Sequence, residues 1–386
     1  MSAALDGIRV VELGQWIAAP YCAALLADLG AEVIKIEKPG GDDQRRSGPP
    51  TSDGESAYFS MLNRNKRGVV LDLAHPDDRA KCLALISSAD VVIENYRPGV
   101  LERYGLDHAA LAERCPGLVY CAISGFGQTG PLRSKGGFDL VIQAMSGLAS
   151  ICGAPDGPPQ KLPVPLVDVS TGLFAAIGIL AALQARNRHG RGQMVDVSLL
   201  ESALALAPLE IGHLLATGAE PARLGDAARN AAPYQIFRTA DGAIALAAAS
   251  QPLWERMCAV LGRPGLLEDR RFATNQHRME HVSELVPLID AVLREKPSAH
   301  WLTTFEKAGV PVGPVQSFTE ALAMPHVRER QVIRSPQSDE CGTFPSMVAP
   351  IRLSRTPVRL AHGAPRLGGD VQWNPRPDQE DSDHAE

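Results

Sequence analysis

The stretch IRVVELGQWIAAPYCAALLADLGAEVIKIE, residues 8–37, decides the fold. A β-branched run at Ile8–Leu13 is followed by an apolar helical pattern at Pro20–Leu29, which Gly30 ends, and by a second β-branched run at Glu32–Glu37. Two strands joined by a helix run parallel in one sheet, because the helix carries the chain back to the starting edge. The stretch therefore predicts a βαβ unit.

The same alternation of strand and helix continues to about residue 125. Further strands are expected at Val69–Leu73, Val91–Glu94 and Leu118–Ser124, with helices at Pro76–Ser88 and Asp107–Arg114. This alternation is typical of a doubly wound parallel sheet, so we expect the first part of the chain to form a doubly wound half of the α/β class. Later helical patterns, such as Val197–Thr217, precede two short strands and more helices, which indicate a second, smaller α/β domain.

Composition indicates a soluble globular protein. Of the 386 residues 45% are hydrophobic and 21% charged, and the formal net charge of −6 argues against a nucleic-acid surface as the main function. The longest uncharged run, Val169–Gln184, is shorter than the ~20 residues that cross a bilayer. No secretory signal pattern opens the chain. The 38 basic residues comprise 30 arginines and 8 lysines, which suggests GC-rich codons. We therefore expect a cytoplasmic bacterial protein that binds neither nucleic acid nor membrane.

Cysteines and histidines give no sign of a disulfide framework or a metal centre. The seven cysteines are an odd number, lie far apart and form no Cys-x-x-Cys pair, as expected for reduced thiols. The ten histidines lack metal-ligand spacing, so no metal is expected. No Gly-x-Ser-x-Gly motif is present, and no histidine is placed to activate a serine or cysteine.

One carboxylate stands at the start of the most apolar segment of the chain. Asp168 lies in PVPLVDVSTG (residues 163–172), directly before the apolar segment 173–183, which predicts a buried helix. The first turn of a helix favours anions and leaves N–H groups unpaired, so Asp168, Ser170 or Thr171 fits an N-cap. A carboxylate in an apolar setting is also typical of a catalytic group. The residues alone leave both interpretations open.

A glycine-rich motif follows the strand that ends at Ser124. GFGQTG (residues 125–130) matches Gly-x-Gly-x-x-Gly, but the chain continues as a loop at Pro131 where a dinucleotide-binding motif opens a helix. NAD binding is therefore not expected. Because glycines let backbone N–H groups approach an anion closely, a loop that wraps phosphate or covers a substrate remains open.

Basic residues cluster near the predicted carboxyl ends of the strands, the edge at which open α/β sheets bind ligands. They are Lys35, Lys38, Arg45, Arg46, Arg64, Lys66, Arg67, Arg97, Arg103 and Lys135. Each by itself fits an ordinary surface charge, whereas several from different loops at one edge indicate a site for an anionic ligand.

Seven short motifs carry a resemblance to a known family. They are IRVVEL (8–13), LGAEVIKIEKP (29–39), NRNKR (63–67), ENYRPGV (94–100), SGFGQTGP (124–131), RGQMVDVS (191–198) and GVPVGP (309–314). Together they resemble the class III coenzyme A transferases, the CaiB/BaiF family. The resemblance covers nearly the whole chain, up to residues 353–357, and implies an enzyme that moves CoA between carboxylic acids.

The resemblance implies a two-domain chain and an interlocked homodimer. Residues 1–200 and 321–370 are expected to form the large Rossmann-like CoA-binding domain from both chain ends. A linker helix is expected at 201–225, and a smaller α/β domain is inserted at 226–320. The family's two subunits thread through one another as linked rings. Residues 371–386 are acidic and poor in apolar residues, which predicts a disordered tail.

The resemblance also assigns roles to individual residues. Asp168 matches the family's nucleophile. The positions that match the family's CoA contacts are Gln15, Lys38, Asn95, Tyr96 and Arg103. Lys135 is the candidate for a further phosphate contact, one place before Gly136, where the family's formyl-CoA transferases carry a lysine. Those enzymes also carry a glycine-rich loop where this chain has Ala247–Gln251, which disfavours formyl and oxalyl substrates.

The implied chemistry suits a lone carboxylate. An aspartate with an ordinary pKa near ~3.9 is ionised at neutral pH and needs no histidine to activate it. Asp168 would attack a donor acyl-CoA to give a mixed anhydride, and the CoA thiolate would return to form an aspartyl-CoA thioester. CoA is then a substrate, and no permanently bound cofactor is implied. The loop with Gly125, Gly127 and Gln128 is expected to shield the anhydride, its N–H groups steadying the oxyanions.

Two other functions stay open. The α-methylacyl-CoA racemases of the same superfamily use a histidine in a Gly-His-Asp motif. This chain has Gly137-Phe138-Asp139, which lacks that proton carrier and keeps Asp139 as an expected substrate-site residue. The other function is a CoA-binding protein without turnover.

The sequence does not name the acids that are exchanged. Arg45, Arg46 and Arg64 are expected to clamp the second carboxylate of a dicarboxylic acid, because a guanidinium binds a carboxylate through two parallel hydrogen bonds. This interpretation predicts a succinyl-CoA donor.

Overall fold

The computed structural model describes residues 2–338 and 341–369, which form two compact units. Of the described residues, the first unit contains 2–148, 161–218 and those from 330 onward, and the second contains 149–160 and 219–329. The chain thus leaves the first unit twice, where one insertion was predicted. The expected linker helix, 201–225, falls mostly in the first unit, and the return begins at 330 rather than 321. The predicted acidic tail, 371–386, lies outside the described residues.

Secondary structure is distributed over both units. The strands are β1 (Arg9–Glu12), β2 (Glu32–Glu37), β3 (Lys66–Val70), β4 (Val91–Glu94), β5 (Val119–Ser124), β6 (Met194–Ser198), β7 (Tyr234–Arg238), β8 (Ala243–Ala247), β9 (Val312–Pro314), β10 (Ile333–Arg334) and β11 (Ser346–Met347). The helices are α1 (Ala18–Asp28), α2 (Ala57–Leu62), α3 (Pro76–Ser87), α4 (His108–Arg114), α5 (Asp139–Met145), α6 (Leu148–Ile151), α7 (Leu166–His189), α8 (Leu199–Ala205), α9 (Pro208–Thr217), α10 (Gln251–Leu261), α11 (Gly265–Glu268), α12 (Asn275–Glu280), α13 (Val282–Leu293), α14 (Ser298–Lys307), α15 (Phe318–Ala323) and α16 (Pro325–Glu329).

The first unit is built on a six-stranded parallel sheet of order β3-β2-β1-β4-β5-β6, which confirms the α/β class. The chain starts in the middle, winds outward to β3, and then returns to place β4 beside β1, with Val10 opposite Val91. Apolar side chains of α1 and α7 cover one face, and those of α3 and α4 cover the other. Because the strand order reverses between β1 and β4, the loops that follow these two strands diverge and leave a crevice.

Two parts of the sheet differ from the sequence prediction. β6 occupies part of the segment for which a helix from Val197 was predicted; Val195 and Val197 alternate with Asp196, a two-residue period that suits a strand. The rest of that predicted helix is divided into α8 and α9 before Pro208. β3 begins at Lys66 instead of Val69, because its pairing with β2 starts there.

The α7 helix brings Asp168 to the sheet edge. By length and composition α7 is long and apolar enough to cross a membrane, as is the bent pair α8 and α9 if it is counted as one span. Half of the most apolar part of α7 is buried within the protein. α7 crosses α1 closely at Gly172, where a Cβ would stand 2.8 Å from the carbonyl oxygen of Ala18.

The second unit has its own core. Its three strands form an antiparallel sheet of order β7-β8-β9. Helices α10, α13 and α14 pack on it through buried side chains that include Trp254, Ile289 and Phe305. All residues predicted for the functional site lie in the first unit.

Candidate active site

The candidate active site is a cleft at the point where the strand order reverses. The loops after β1, β4 and β5, the turn before α5 and the first turn of α7 enclose about 250 Å³. Its lining residues are Gln15, Trp16, Ile17, Ala18, Asn95, Tyr96, Arg97, Pro98, Ile123, Ser124, Gly125, Lys135, Gly136, Gly137, Phe138, Asp168 and Leu199. Of the residues predicted from sequence, the cleft brings together Gln15, Asn95, Tyr96, Gly125, Lys135 and Asp168.

Asp168 is half-buried in the first turn of α7 and does not cap that helix. The residue at the N-cap is Pro165, and it makes no side-chain cap bond. The hydroxyls of Ser170 and Thr171 donate to the carbonyl oxygen of Val167, at 3.0 and 2.7 Å, instead of accepting from an N–H group. The interpretation of Asp168, Ser170 or Thr171 as an N-cap is therefore wrong. Asp168 instead contributes an acidic side chain to the lining of the cleft.

The protonation of Asp168 departs from the prediction. Burial, and after it the negative charge of Asp139, raises the pKa of Asp168 to about 7 from an ordinary 3.8. The dipole of α7 favours the ionised form at this position, but burial dominates. The expectation of an ordinary pKa is therefore wrong. Burial thus holds the carboxyl group of Asp168 toward its protonated form near neutral pH.

Asp139 lies beside the nucleophile candidate and outside the cleft lining. Its carboxylate accepts a hydrogen bond from the backbone N–H of Val167 at 3.2 Å, one of the free N–H groups of the first turn of α7. It also accepts from the side-chain amide of Gln143 at 2.7 Å. The structure thus places Asp139 against the helix that carries Asp168, where the sequence predicted a substrate contact.

The loop after β1 is fixed by Asn95. The side-chain amide of Asn95 accepts from the N–H of Gln15 and donates to the carbonyl oxygen of Gln15, both at 2.8 Å. The side chain of Gln15 bonds the hydroxyl of Tyr96. Both ends of the Asn95 amide are therefore used to hold the backbone of Gln15 at the cleft, whereas the sequence predicted that Asn95 contacts CoA.

Trp16 is a cleft residue that the sequence did not indicate. Its φ of 64° is one that non-glycine residues rarely adopt. Asp42, paired with the buried Lys35 at 3.0 Å, accepts the N–H of Trp16 at 3.4 Å and helps to hold it there. The indole is 40% exposed and lies edge-to-face with Phe138, 6.4 Å between ring centroids. Backbone strain held by a buried ion pair is typical of functional sites.

Glycines let two loops of the cleft touch. A Cβ on Gly125 would stand 3.0 Å from the backbone of Gly137, and a Cβ on Gly137 would stand 2.8 Å from the Cα of Gly125. The first glycine of GFGQTG therefore serves close packing of the cleft wall.

Gly127 and Gln128 of the same loop do not have the predicted role of donating hydrogen bonds to an oxyanion. The N–H of Gly127 donates to the hydroxyl of Ser124 at 2.9 Å, and the N–H of Gln128 donates to the carboxylate of Asp196 at 3.0 Å. Because both groups already have acceptors and neither residue lines the cleft, they are not available to an oxyanion there.

Two cations line the cleft. Arg97, which follows β4, lies across Gly136, where a Cβ would come within 2.6 Å of its guanidinium. The ammonium of Lys135 lies 5.7 Å from the ring centroid of Phe126 and 3.6 Å from the sulfur of Met145. No ion pair ties either of them to a carboxylate in residues 2–338 and 341–369. Arg97 was noted in the sequence only as one of many basic residues; its position between Asn95 and Pro98 in the loop after β4 was the available signal.

Lys38 and Arg103 lie outside the cleft lining. Lys38 follows β2 and Arg103 follows β4, so both belong to the carboxyl edge of the sheet. Lys38 is exposed and pairs with Asp43 at 3.2 Å. The cleft as described does not bring these two predicted CoA contacts to Asp168.

The predicted arginine clamp is wrong for Arg45 and Arg64. The side chain of Arg45 is 6% exposed, pairs with Glu37 at 2.7 Å and lies 3.7 Å from the ring centroid of Phe59. Arg64 is buried against Asp28 at 2.7 Å. Their donors are already bound to carboxylates, so they stabilise the fold instead of holding a substrate. In the described part of the chain no group of three or more His, Cys, Asp or Glu side chains is placed to hold a metal ion.

Comparison with protein families assigns the chain. The family model described as CoA-transferase family III matches residues 5–371. The chain belongs to this family and is a CoA-transferase, which confirms the resemblance seen in the sequence.

Individual relatives are similar over nearly their whole length. The chain is 40% identical over 371 residues to the succinate–glutarate CoA-transferase of Agrobacterium fabrum, covering 94% of this chain and 93% of that protein. It is 39% identical over 366 residues to the succinyl-CoA–D-citramalate CoA-transferase of Chloroflexus aurantiacus, covering 94% and 91%. The crystal structure of a CaiB/BaiF family protein from Brucella suis is similar with a TM-score of 0.86 at 36% identity, covering 95% and 97%.

Proposed function

We propose that Asp168 is the nucleophile of this transferase. The observation that carries the proposal is a half-buried carboxylate that shares its cleft with the cationic side chains of Arg97 and Lys135, neither of which makes an ion pair with another described residue. Ionised Asp168 attacks the carbonyl carbon of a donor acyl-CoA, the C–S bond breaks, and CoA leaves as a thiolate. The thiolate then attacks the aspartyl carbonyl of the mixed anhydride. The donor acid leaves as its carboxylate, and an aspartyl-CoA thioester remains.

The second half of the reaction repeats these steps with the acceptor acid. Its carboxylate attacks the aspartyl-CoA thioester, and the released thiolate attacks the acyl carbonyl of the new anhydride, which frees Asp168. The cycle uses no net proton, electron or water, and CoA enters and leaves as a substrate. Both intermediates hydrolyse if water reaches them, so the cleft must be dry during turnover. The touching glycines 125 and 137 and the rings of Trp16 and Phe138 support such shielding.

We propose succinyl-CoA as donor and a dicarboxylic acid as acceptor. Relatives named for succinate, glutarate and D-citramalate, each about 40% identical, support this substrate class. In the cleft the guanidinium of Arg97, with Lys135 on the neighbouring loop, supplies positive charge for a second carboxylate, in place of the arginines predicted for that role. A panel of acyl-CoA donors against mono- and dicarboxylates tests this; a preference for long monocarboxylates contradicts it.

The racemase alternative has no support in the cleft. Phe138 stands where a racemase carries its histidine, and a phenyl ring has no proton to exchange. Incubation with one acyl-CoA in deuterated water separates the functions. Exchange at C2 indicates a racemase, CoA transfer to an added acid indicates a transferase, and neither indicates a binding protein.

We also propose an interlocked homodimer in a bacterial cytoplasm, without a membrane or nucleic-acid partner. Large apolar side chains are exposed on four neighbouring helices, α5, α7, α8 and α9, which supports burial by a second copy. Cys22, Cys82, Cys115, Cys121, Cys152 and Cys258 are free thiols, which supports a reducing compartment. Light scattering should give twice 41.2 kDa, and tagged and untagged dimers should not exchange subunits without unfolding.

Replacement and trapping of Asp168 test the proposed nucleophile. Asp168→Ala should lose at least about 10³-fold in turnover, because no other group takes over covalent catalysis. Hydroxylamine added with acyl-CoA should convert Asp168 of the natural protein to its hydroxamate, which peptide mass spectrometry detects. Unchanged turnover in the variant, or label on another residue, rejects the proposal.

A further inference from the structure

The side chain of Gln143 is buried in the first unit and makes bonds at both ends. It is 1% exposed and lies on α5, one turn after Asp139. Its amide nitrogen donates to the two carboxylate oxygens of Asp139, at 2.7 and 3.2 Å. Its amide oxygen accepts the backbone N–H of Leu162 at 2.8 Å. Gln143 therefore fixes the carboxylate of Asp139 and the start of the segment that leads into α7.

The same carboxylate reaches the far end of that segment. One oxygen of Asp139 accepts the N–H of Val167 at 3.2 Å, directly before Asp168. Leu162 and Val167 are thus tied to one pair of side chains on α5, and the segment between them is held at both ends. This bond caps the first turn of α7, which Pro165 at the N-cap leaves without a side-chain partner.

We propose that Asp139, held by Gln143, is a positioning residue for Asp168: its carboxylate accepts the N–H of Val167 and so fixes the first turn of α7, directly before Asp168. The proposal rests on the proposed role of Asp168 as nucleophile and assigns Asp139 no contact with substrate. It differs from the substrate-site role predicted from the sequence.

Apart from burial, the pKa of Asp168 is raised by Asp139 and not by the other charged groups nearby. The titratable and charged side chains on the elements packed around α7 and the cleft are Tyr21, Cys22, Asp28, Glu94, Tyr96, Arg97, Tyr120, Cys121, Lys135, Asp139, Arg186, Arg188, His189, Asp196 and Glu201. Besides burial, the charge of Asp139 is the influence that raises the pKa of Asp168. Two carboxylates that approach one another resist carrying two negative charges, so the ionised form of the second is disfavoured.

The charge of Asp139 therefore influences the lowest pH at which the enzyme turns over efficiently. Removing the charge of Asp139 lowers the pKa of Asp168 from about 7, although burial remains. The acid limb of kcat/KM therefore moves to lower pH. A shift of half to one pH unit raises activity at pH 5.5, relative to the plateau, by about threefold to eightfold.

Three variants test the proposal. Asp139→Asn keeps an oxygen for the N–H of Val167 and removes the charge, so the acid limb should move down. Asp139→Glu keeps the charge, so the limb should stay while kcat falls. Asp77→Asn is the matched control: Asp77 is an exposed acid in the first turn of α3 of the same unit, and neither limb nor kcat should change.

A second measurement does not depend on turnover. Carbodiimide couples an amine to the protonated form of a carboxyl group, so the pH midpoint of labelling at Asp168, read by peptide mass spectrometry, reports its ionisation. The midpoint should fall in Asp139→Asn and not in Asp77→Asn. If Asp139→Asn leaves the limb and the midpoint unchanged while hydroxylamine still traps Asp168, the positioning role is wrong and the nucleophile stands. If hydroxylamine labels another residue in the natural protein, the proposed function itself fails.

Discussion

At the scale of single residues, the site is governed by which charges are buried and which are free. Asp168 is half-buried among apolar groups, so its pKa rises to about 7. The side chains of Arg45 and Arg64 are held in ion pairs with little exposure, whereas Arg97 lines the cleft and makes no ion pair within the described residues. A charge that is already satisfied in the folded chain contributes stability, and an unsatisfied charge in a cleft is available for binding.

The raised pKa makes a prediction about stability. The folded state binds the Asp168 proton more tightly than the unfolded chain, so this group makes the protein less stable as the pH rises from about 4 through about 7. Asp168→Asn should therefore match the natural protein at pH 4 and exceed it at pH 8. The gain should be a few kcal/mol, since the rise of the pKa from 3.8 to about 7 is about three units and each unit corresponds to about 1.4 kcal/mol. Urea unfolding at both pH values measures it, and an equal effect at both values contradicts the assignment.

Arg97 makes a prediction about specificity. Arg97→Gln removes a guanidinium that can bind a carboxylate through two hydrogen bonds, so KM for a dicarboxylic acceptor should rise about 10- to 100-fold. KM for a monocarboxylic acceptor should change much less. Arg114→Gln, on the exposed end of α4, serves as control. If KM rises equally for every acyl-CoA donor and KM for the acceptor acids does not change, Arg97 binds the CoA moiety instead of the acceptor carboxylate.

At the scale of elements, the position of Asp168 depends on how α7 crosses α1. Gly172 lies one turn after Asp168 and lets the two helices meet, because a Cβ would stand 2.8 Å from the carbonyl oxygen of Ala18 and 3.1 Å from the ring of Tyr21. The backbone carbonyl group of Ala18 cannot move away from a new Cβ as a flexible side chain could. A larger residue at this position must displace α7 and with it the carboxylate.

Two alanine variants test this dependence. Gly172→Ala should cost about 1–3 kcal/mol of unfolding free energy through overpacking and should lower kcat. Gly265→Ala in α11 is the control: it has open space around the new methyl group and should change the unfolding free energy by no more than about 1 kcal/mol. Denaturant unfolding and turnover measure both. If Gly172→Ala retains full kcat, the crossing does not position the nucleophile.

At the scale of the whole molecule, Asp28 joins distant parts of the first unit. Its buried carboxylate accepts hydrogen bonds from Arg64 at 2.7 Å, from Asn65 at 2.9 Å and from the N–H of Ala349. The carbonyl oxygen of Asp28 accepts the N–H of Arg359 at 3.1 Å. The end of α1, the start of β3 and the returning chain therefore meet at one acid.

Asp28→Ala should be strongly destabilising. It leaves the guanidinium of Arg64 buried and unpaired, which costs about 3–5 kcal/mol. Asp43→Ala removes an exposed ion pair with Lys38 and Arg46 and should cost no more than about 1 kcal/mol. Thermal unfolding of both variants gives the comparison, and equal costs would mean that Asp28 does not anchor the returning chain.

The sequence alone determined the α/β class, the family and the candidate nucleophile. β-branched runs alternating with helices are local patterns, and IRVVEL or ENYRPGV are recognised without coordinates. The sheet edge that gathers Gln15, Tyr96, Lys135 and Asp168 follows from parallel strands sharing one direction. The sixth strand was missed because five residues with two valines also fit the start of a helix.

Only the tertiary structure decided which polar groups are free. Whether Arg45 meets a substrate or Glu37, whether Asp139 touches a ligand or the N–H of Val167, and whether Asp168 is ionised at pH 7 all depend on burial and on partners far away in the chain. Hydrogen bonds and desolvation act over a few ångströms in space, and one-dimensional spacing carries no record of those distances.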